Sequence, residues 1–249
     1  MANTIYTLSE RPDLQQQISN IHSVAWPRFM LESAVANSTS QYCFNLWPQF
    51  QLALCDGNGQ VLAAGNLVPL VWDGTLNDLP AGWDAASERG MQDHDAGRVA
   101  NALSAYSVVV HPEQQRQGHS STVLKAMVDL AHDHAFHGVM ACVRPTLKAQ
   151  YPLTPIKRYS AWKAADGSPF DPWMRVHSRL GAEQLFVSPR SMEITGTVAD
   201  WAEWANMPFP ESGEYVVPGA LATIQISREE DIGRYYEPNV WMLHRACTK

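Results

Sequence analysis

The sequence predicts an α/β fold, a central sheet of about six to seven strands flanked by helices, with insertions and an extended C-terminal segment. Three observations carry that expectation. Short β-branched runs at 104–110 and 139–143 bracket a stretch in which Val123, Leu124, Met127, Val128 and Ala131 form an apolar stripe at helical spacing. Apolar runs at 50–54 and 61–67 flank Asp56-Gly57-Asn58-Gly59, residues that tolerate the positive φ of a tight hairpin. A second helix carries its own punctuation, with Asp171 as N-cap, Pro172 as first residue and Gly181 just past the end.

The remaining elements follow in chain order. Residues 5–31 read as a short strand and then a helix with Leu14, Ile18, Ile21 and Ala25 on one face, broken by Trp26-Pro27. Residues 73–101 turn polar and glycine-dotted and read as an insertion with one short helix. The strand at 104–110 ends at His111-Pro112, and the amphipathic helix after it is expected to end at Gly138. Residues 145–170 look irregular, 184–187 and 192–197 look strand-like, and 198–249 are rich in Trp, Pro and Gly. No linker-like change of composition divides the chain, so residues 1–249 are expected to form a single domain.

Composition narrows the function. The 249 residues are 45% hydrophobic and 17% charged, the balance of a globular chain and not of a disordered one. No apolar run approaches the roughly 20 residues needed to span a bilayer. The start has neither a basic region nor an apolar core, so no secretory leader and no membrane partner are expected. Cys43, Cys55, Cys142 and Cys247 are scattered without a C-x-x-C pair, which suits reduced thiols in a cytoplasm. A formal net charge of −7 argues against a nucleic-acid partner. There is no G-x-S-x-G elbow for Ser/His/Asp hydrolysis. His132, Asp133, His134 and His137 lack metal-ligand spacing on a helix, Asp93-His94-Asp95 is flexible-looking, and no metal is expected.

The informative segment is Val108-Val109-Val110-His111-Pro112-Glu113-Gln114-Gln115-Arg116-Gln117-Gly118-His119-Ser120. It is a strand, a tight turn with one glycine, and a helix start. Such a junction presents free backbone N–H groups at the positive end of a helix dipole, where a diphosphate can bind without side-chain contact. The run Gln115-Arg116-Gln117-Gly118-His119-Ser120 resembles the Q/R-x-x-G-x-G/A loop of the GNAT superfamily, with serine where the family has Gly or Ala. The preceding Val-His-Pro and the following amphipathic helix resemble the same family, and the likeness covers 104–182 well. It implies a GNAT fold with a mixed sheet and an acyl-coenzyme A, acetyl-CoA or another, as co-substrate. Its diphosphate would lie on residues 115–120, with Val108, Val109 and Val110 beside the pantetheine. A bulge near Val109 or Val110 would free an amide for the oxyanion.

Many members of that family carry a tyrosine four residues before a glycine, which protonates the departing thiolate. In Arg175-Val176-His177-Ser178-Arg179-Leu180-Gly181-Ala182 that position holds His177, on the inward stripe with Trp173, Val176 and Leu180. An imidazole there is a candidate general acid; Tyr151 and Tyr159 are the alternative donors. Arg144, Lys148, Lys157, Arg158 and Lys163 form a basic stretch without an acidic residue, and Arg144, Lys157 and Arg158 are candidates for holding an acidic group of a substrate. Glu32, Asp84 and Glu193 are undistinguished candidates for a general base.

The preferred expectation is direct acetyl transfer from acetyl-CoA to the amine of a small molecule. A second resemblance, to GNAT-like loading domains of polyketide synthases, rests on Asp171, Arg175, His177, Gly181 and Ala182. It implies decarboxylation of malonyl-CoA and transfer to the thiol of an acyl-carrier protein, with Thr146 as the nearest match to those domains' threonine. A non-catalytic acyl-CoA-binding module is the third possibility.

Overall fold

The computed structural model describes residues 3–245. Strand β1 (Thr4–Thr7) leads into α1 (Gln15–Ala25), and the stripe of Leu14, Ile18 and Ile21 is buried. Helix α2 (Ala34–Asn45) follows, where no helix is expected from sequence. Its small polar residues carry little apolar periodicity, and its start is fixed by Ser33, which accepts the Ala36 amide at 3.2 Å. Strands β2 (Gln51–Cys55) and β3 (Val61–Leu70) form the expected hairpin. Asp56 Oδ1 accepts the amides of Asn58 and Gln60, each at 2.9 Å, and Gly59 takes φ +83°.

The polar stretch at 73–101 is no loose insertion. It holds α3 (Trp83–Asp95), which packs on β3 and α2. Gly90 makes that approach possible: a Cβ there would fall 2.2 Å from Val68 Cγ1. Then come β4 (Ala102–Val110), α4 (His119–Asp133) and β5 (Gly138–Val143), with Val123, Leu124, Met127 and Ala131 of α4 fully buried. Gly138 does not end α4. The turn is made at Ala135, in the left-handed region at φ +54°, and Gly138 opens β5.

Short α5 (Ile156–Tyr159) precedes α6 (Pro172–Arg179), which starts and stops as expected. Asp171 Oδ1 accepts the amides of Trp173 and Met174 at 3.0 and 3.2 Å, and Gly181 is left-handed. The two short strands expected at 184–197 are one bulged strand, β6 (Glu183–Gly196). Helix α7 (Val198–Ala205), β7 (Gly213–Tyr215), β8 (Ile224–Ser227) and β9 (Ile232–Arg245) complete the chain.

The sheet has nine strands, more than the six or seven expected, in the order β1-β2-β3-β4-β5-β9-β8-β7, with β6 on the other edge of β9. The surplus comes from the C-terminal segment, since β9 runs between β5 and β6 and carries β8 and β7. Its aromatic residues serve the core: Trp201, Tyr235 and Trp241 are wholly buried beside Phe29 and Trp72. Cys43, Cys55 and Cys142 are buried free thiols, and Cys247 lies outside the described residues. No helix of the described residues is long and apolar enough to cross a membrane.

Every pairing is antiparallel except β4 with β5. Those two pair at Leu103–Val139, Ser104–Met140 and Ala105–Ala141 and then part. Alternation along β3 assigns the two faces beside the gap. Gly65 faces α4, where an added Cβ would fall 2.5 Å from Val123 Cγ1, and its neighbour Asn66 faces α1, bonding to His22.

Candidate active site

Beyond Ala105 the edge of β4 that faces β5 has no strand partner, so its backbone groups there make no ladder bonds. A cavity of about 860 Å³ occupies the parting. Its walls come from both faces of the sheet: the loop before α4 and Trp173 of α6 on one, His22 and Trp26 of α1 with Ala36 of α2 on the other. The β-bulge lies at Tyr106, where Asn66 opposes Ser107 and Leu67 opposes Ala105, and not at Val109 or Val110. The Tyr106 hydroxyl donates to the Ala36 carbonyl at 3.0 Å, and Trp83 Nε1 donates to the Tyr106 carbonyl at 2.9 Å.

The loop wall is built from main chain. None of the backbone N–H groups of residues 115–120 bonds to another described residue, whereas the amides of Ser121 and Thr122 are taken by the Gly118 carbonyl. Gly118 sits at φ +82° and Arg116 at φ +64°, so the amides turn outward together as α4 begins. Nothing lies within 4 Å of where a Gly118 side chain would start. The glycine therefore serves its backbone angle and leaves room for a ligand. His119 is buried beside this loop with Nε2 unpartnered. An outward set of amides, a helix N-terminus and an orphaned ring nitrogen fit a phosphorylated ligand. Val108, Val109, Val110, Gln115, Arg116, Gly118, His119 and Ser120 all line the cavity. Gln117 does not; its side chain turns back to Gln114 Oε1 at 3.1 Å. Val109 packs its side chain with α1, while Val108 and Val110 pack on the α4 side.

His177 lines the cavity but is not a near-neutral acid. It is buried, its Nδ1 lies 2.9 Å from His244 Nε2, and Trp173 closes its ring edge-on at 4.5 Å. Burial and the neighbouring imidazole push its pKa down to about 3, so it is uncharged at neutral pH. Its Nε2 makes no hydrogen bond within the described residues, so the ring can meet a ligand only as a neutral group. Tyr151 and Tyr159 are displaced from the role of proton donor. Both sit in an aromatic cluster with Trp162 and Phe170, outside the cavity lining, and the buried Tyr159 hydroxyl is committed to Asp171 Oδ2 at 2.8 Å.

The basic stretch separates likewise. Arg144 reaches the cavity, with Nε on both oxygens of buried Glu237 at 2.9 and 3.0 Å and Nη2 on the Gly219 carbonyl at 2.6 Å. Lys157 and Arg158 are exposed on α5 and do not touch the cavity. Lys148 is buried, donating to the carbonyls of Tyr151 and Leu221. Asp171 and Arg175 are structural: Asp171 caps α6 and takes the Leu147 amide, and Arg175 holds the carbonyls of Pro169 and Phe170. Thr146 does line the cavity. Glu32, Asp84 and Glu193 do not; Glu32 pairs with Arg28 at 2.7 Å, and Asp84 accepts the Glu193 amide at 2.8 Å.

The opposite wall escaped sequence reasoning. His22, Trp26, Met30, Trp83, Met192 and Glu237 converge from distant segments. Asn66, the one polar side chain in the ten residues of β3, was the available signal that a buried polar group lay here.

No family model matches the chain. It is 29% identical to an arginine N-acetyltransferase, avaD, of Aspergillus versicolor over 272 aligned residues, covering 97% of this chain and 93% of the relative. Among solved structures it is similar to the loading GNAT-like domain of CurA from Lyngbya majuscula (TM-score 0.61, 13% identity, 99% and 98% of the two chains). It is also similar to the GphF GNAT-like decarboxylase in complex with isobutyryl-CoA (TM-score 0.57, 12% identity, 99% and 100% of the two chains). The chain has the fold of these GNAT-like proteins, with a loop of unbonded amides beside a parted parallel strand pair.

Proposed function

We propose that the chain works as one domain and transfers an acetyl group from acetyl-CoA directly to the amine of a small molecule. The observation that carries the reading is the run of unbonded amides at 115–120, opening on the parting of β4 and β5. The diphosphate would lie on those amides and the pantetheine between the strands. The thioester would then reach the bulge at Tyr106, where a free amide of the β4 edge would stabilise the oxyanion. The acceptor would enter from the α1–α2 side. Arg144 keeps Nη1 free of hydrogen bonds within the described residues, and a carboxylate on the acceptor is the group it would take. An amino acid such as arginine, the substrate named for the relative, carries both groups.

The alternative is decarboxylation of malonyl-CoA with transfer to a carrier-protein thiol. Its support is that Thr146, His177 and Arg144 share the cavity. One assay separates the two: thiol release from acetyl-CoA and from malonyl-CoA, with and without L-arginine, other amines and a carrier protein. Amine-dependent release from acetyl-CoA is expected. Release from malonyl-CoA with loss of CO₂, needing no amine, would contradict the amine reading.

A further inference from the structure

We propose that His22 is the general base of the transfer, accepting a proton from the acceptor's ammonium group at Nδ1, and that Gln51 and Asn66 fix the tautomer that leaves this nitrogen bare. The inference rests on the amine-transfer reading above.

The argument begins at Gln51, which is completely buried. Its Nε2 donates to the carbonyls of Trp47 at 2.9 Å and Leu67 at 3.0 Å, which only the NH₂ end can do. Its Oε1 therefore faces Asn66, also completely buried, and accepts from Asn66 Nδ2 at 3.0 Å. Asn66 Oδ1 is left as an acceptor, met by Ser107 Oγ at 2.9 Å and His22 Nε2 at 3.0 Å. A ring nitrogen facing an acceptor must carry the proton, so Nε2 is protonated and Nδ1 keeps its lone pair. Nδ1 makes no hydrogen bond within the described residues, and it is not among the buried unpartnered atoms. The ring lines the cavity on its acceptor side and stacks on Tyr106, the bulge residue, at 6.4 Å.

Burying two amides and a hydroxyl where the neighbouring strand residues are apolar is costly unless the network sets something. What it sets is the direction of one lone pair. The surroundings keep that lone pair available at neutral pH. Burial lowers the His22 pKa from its ordinary 6.5, opposed by Asn66. No charged side chain bears on the ring: β3 presents Asn66, β4 presents Ser107 and the Tyr106 phenol, and α2 turns Asn37 and Ser40 to the same cavity.

The step balances as follows. The acceptor ammonium gives one proton to His22 Nδ1, and its freed lone pair forms the C–N bond at the thioester carbonyl. The C–S bond breaks, the electron pair leaves on sulfur, and a second proton from nitrogen ends on the thiolate. His22 then returns its proton to solvent, while Nε2–H stays on Asn66 throughout.

The test compares wild type with His22→Gln on two acceptors, L-arginine and hydroxylamine, the second uncharged at neutral pH. With L-arginine, kcat/KM of His22→Gln should fall by roughly 100-fold or more, with the Kd for acetyl-CoA within about twofold. With hydroxylamine the deficit should shrink to about tenfold or less, and with L-arginine it should narrow as pH rises. In Asn66→Asp a carboxylate facing Nε2–H should move the acid limb of the kcat/KM profile to higher pH. Equal loss on both acceptors at all pH values, wild-type rates in His22→Gln, or an unmoved limb in folded Asn66→Asp would each overturn the assignment. Wild type inactive toward every amine would instead overturn the amine reading, and this inference with it.

Discussion

The two walls of the cavity are made from different materials. The loop wall is local and main-chain: a single run at 115–120 supplies amides, and their direction follows from the backbone angles of Arg116 and Gly118. The acceptor wall is distant and side-chain: His22, Trp83, Arg144, Met192 and Glu237 come from five separate places in the chain. A ligand part common to every acyl-CoA can be held by groups that every sequence possesses. A part that differs between acceptors has to be met by side chains, and those can change without touching the loop.

The largest effect expected is on the acceptor wall. Glu237 is buried against Arg144 and also takes the Tyr235 hydroxyl at 3.1 Å and Asn239 Nδ2 at 3.3 Å. Glu237→Gln leaves the guanidinium without its counter-charge and should cost about 3 kcal/mol, the low end for breaking a buried pair. Thermal melting should show a fall of roughly 6–12 °C. An unchanged melting temperature would mean that the wall does not depend on this pair.

The loop wall should respond in affinity and not in stability. Gly118→Asp places a carboxylate where the diphosphate is proposed to sit and strains a left-handed position. Calorimetric titration should show acetyl-CoA binding weakened by roughly 100-fold in a protein that still folds. Unchanged affinity would remove the loop from the site.

A smaller effect comes from the histidine pair between the walls. His177 is held down to about 3 and His244 to about 4, both by burial first. The unfolded chain, with ordinary values near 6.5, binds more protons as acid is added. The stability these rings contribute is therefore complete above pH 6.5 and lost progressively toward pH 4 and below. Denaturant midpoints between pH 7 and pH 4.5 should fall, and fall less in His177→Gln. Equal slopes would show that the pair is not buried as described.

The smallest effect belongs to residues outside both walls. Neutralising Lys157 and Arg158 together should leave the Kd for acetyl-CoA and for malonyl-CoA within about twofold, because both are exposed, neither lines the cavity, and exposed charges are screened. A selective loss of malonyl-CoA would restore them to the site.

What the sequence made legible follows the same division. The loop was readable because strand, turn and helix start are contiguous, and α6 was readable because Asp171, Pro172 and Gly181 mark its ends. Strand β9 was not: Pro238 lies within it, and its Trp, Tyr and Glu residues follow no simple alternation because different halves pair with different neighbours. Helix α2 was missed because residues 34–45 are small and polar, and only packing makes them helical. The His22 network was out of reach for a geometric reason. Gln51, Asn66 and Ser107 lie on three strands, and nothing in any one segment says that they meet.

The central claim, that unbonded amides at 115–120 receive the diphosphate, is most directly tested by amide hydrogen exchange with and without saturating coenzyme A. In the free protein these amides should exchange at rates near those of an unstructured chain, since no hydrogen bond protects them. Coenzyme A should slow them by about tenfold or more while α4 beyond Thr122 changes little. Saturation by coenzyme A with exchange at 115–120 unaltered would contradict the account.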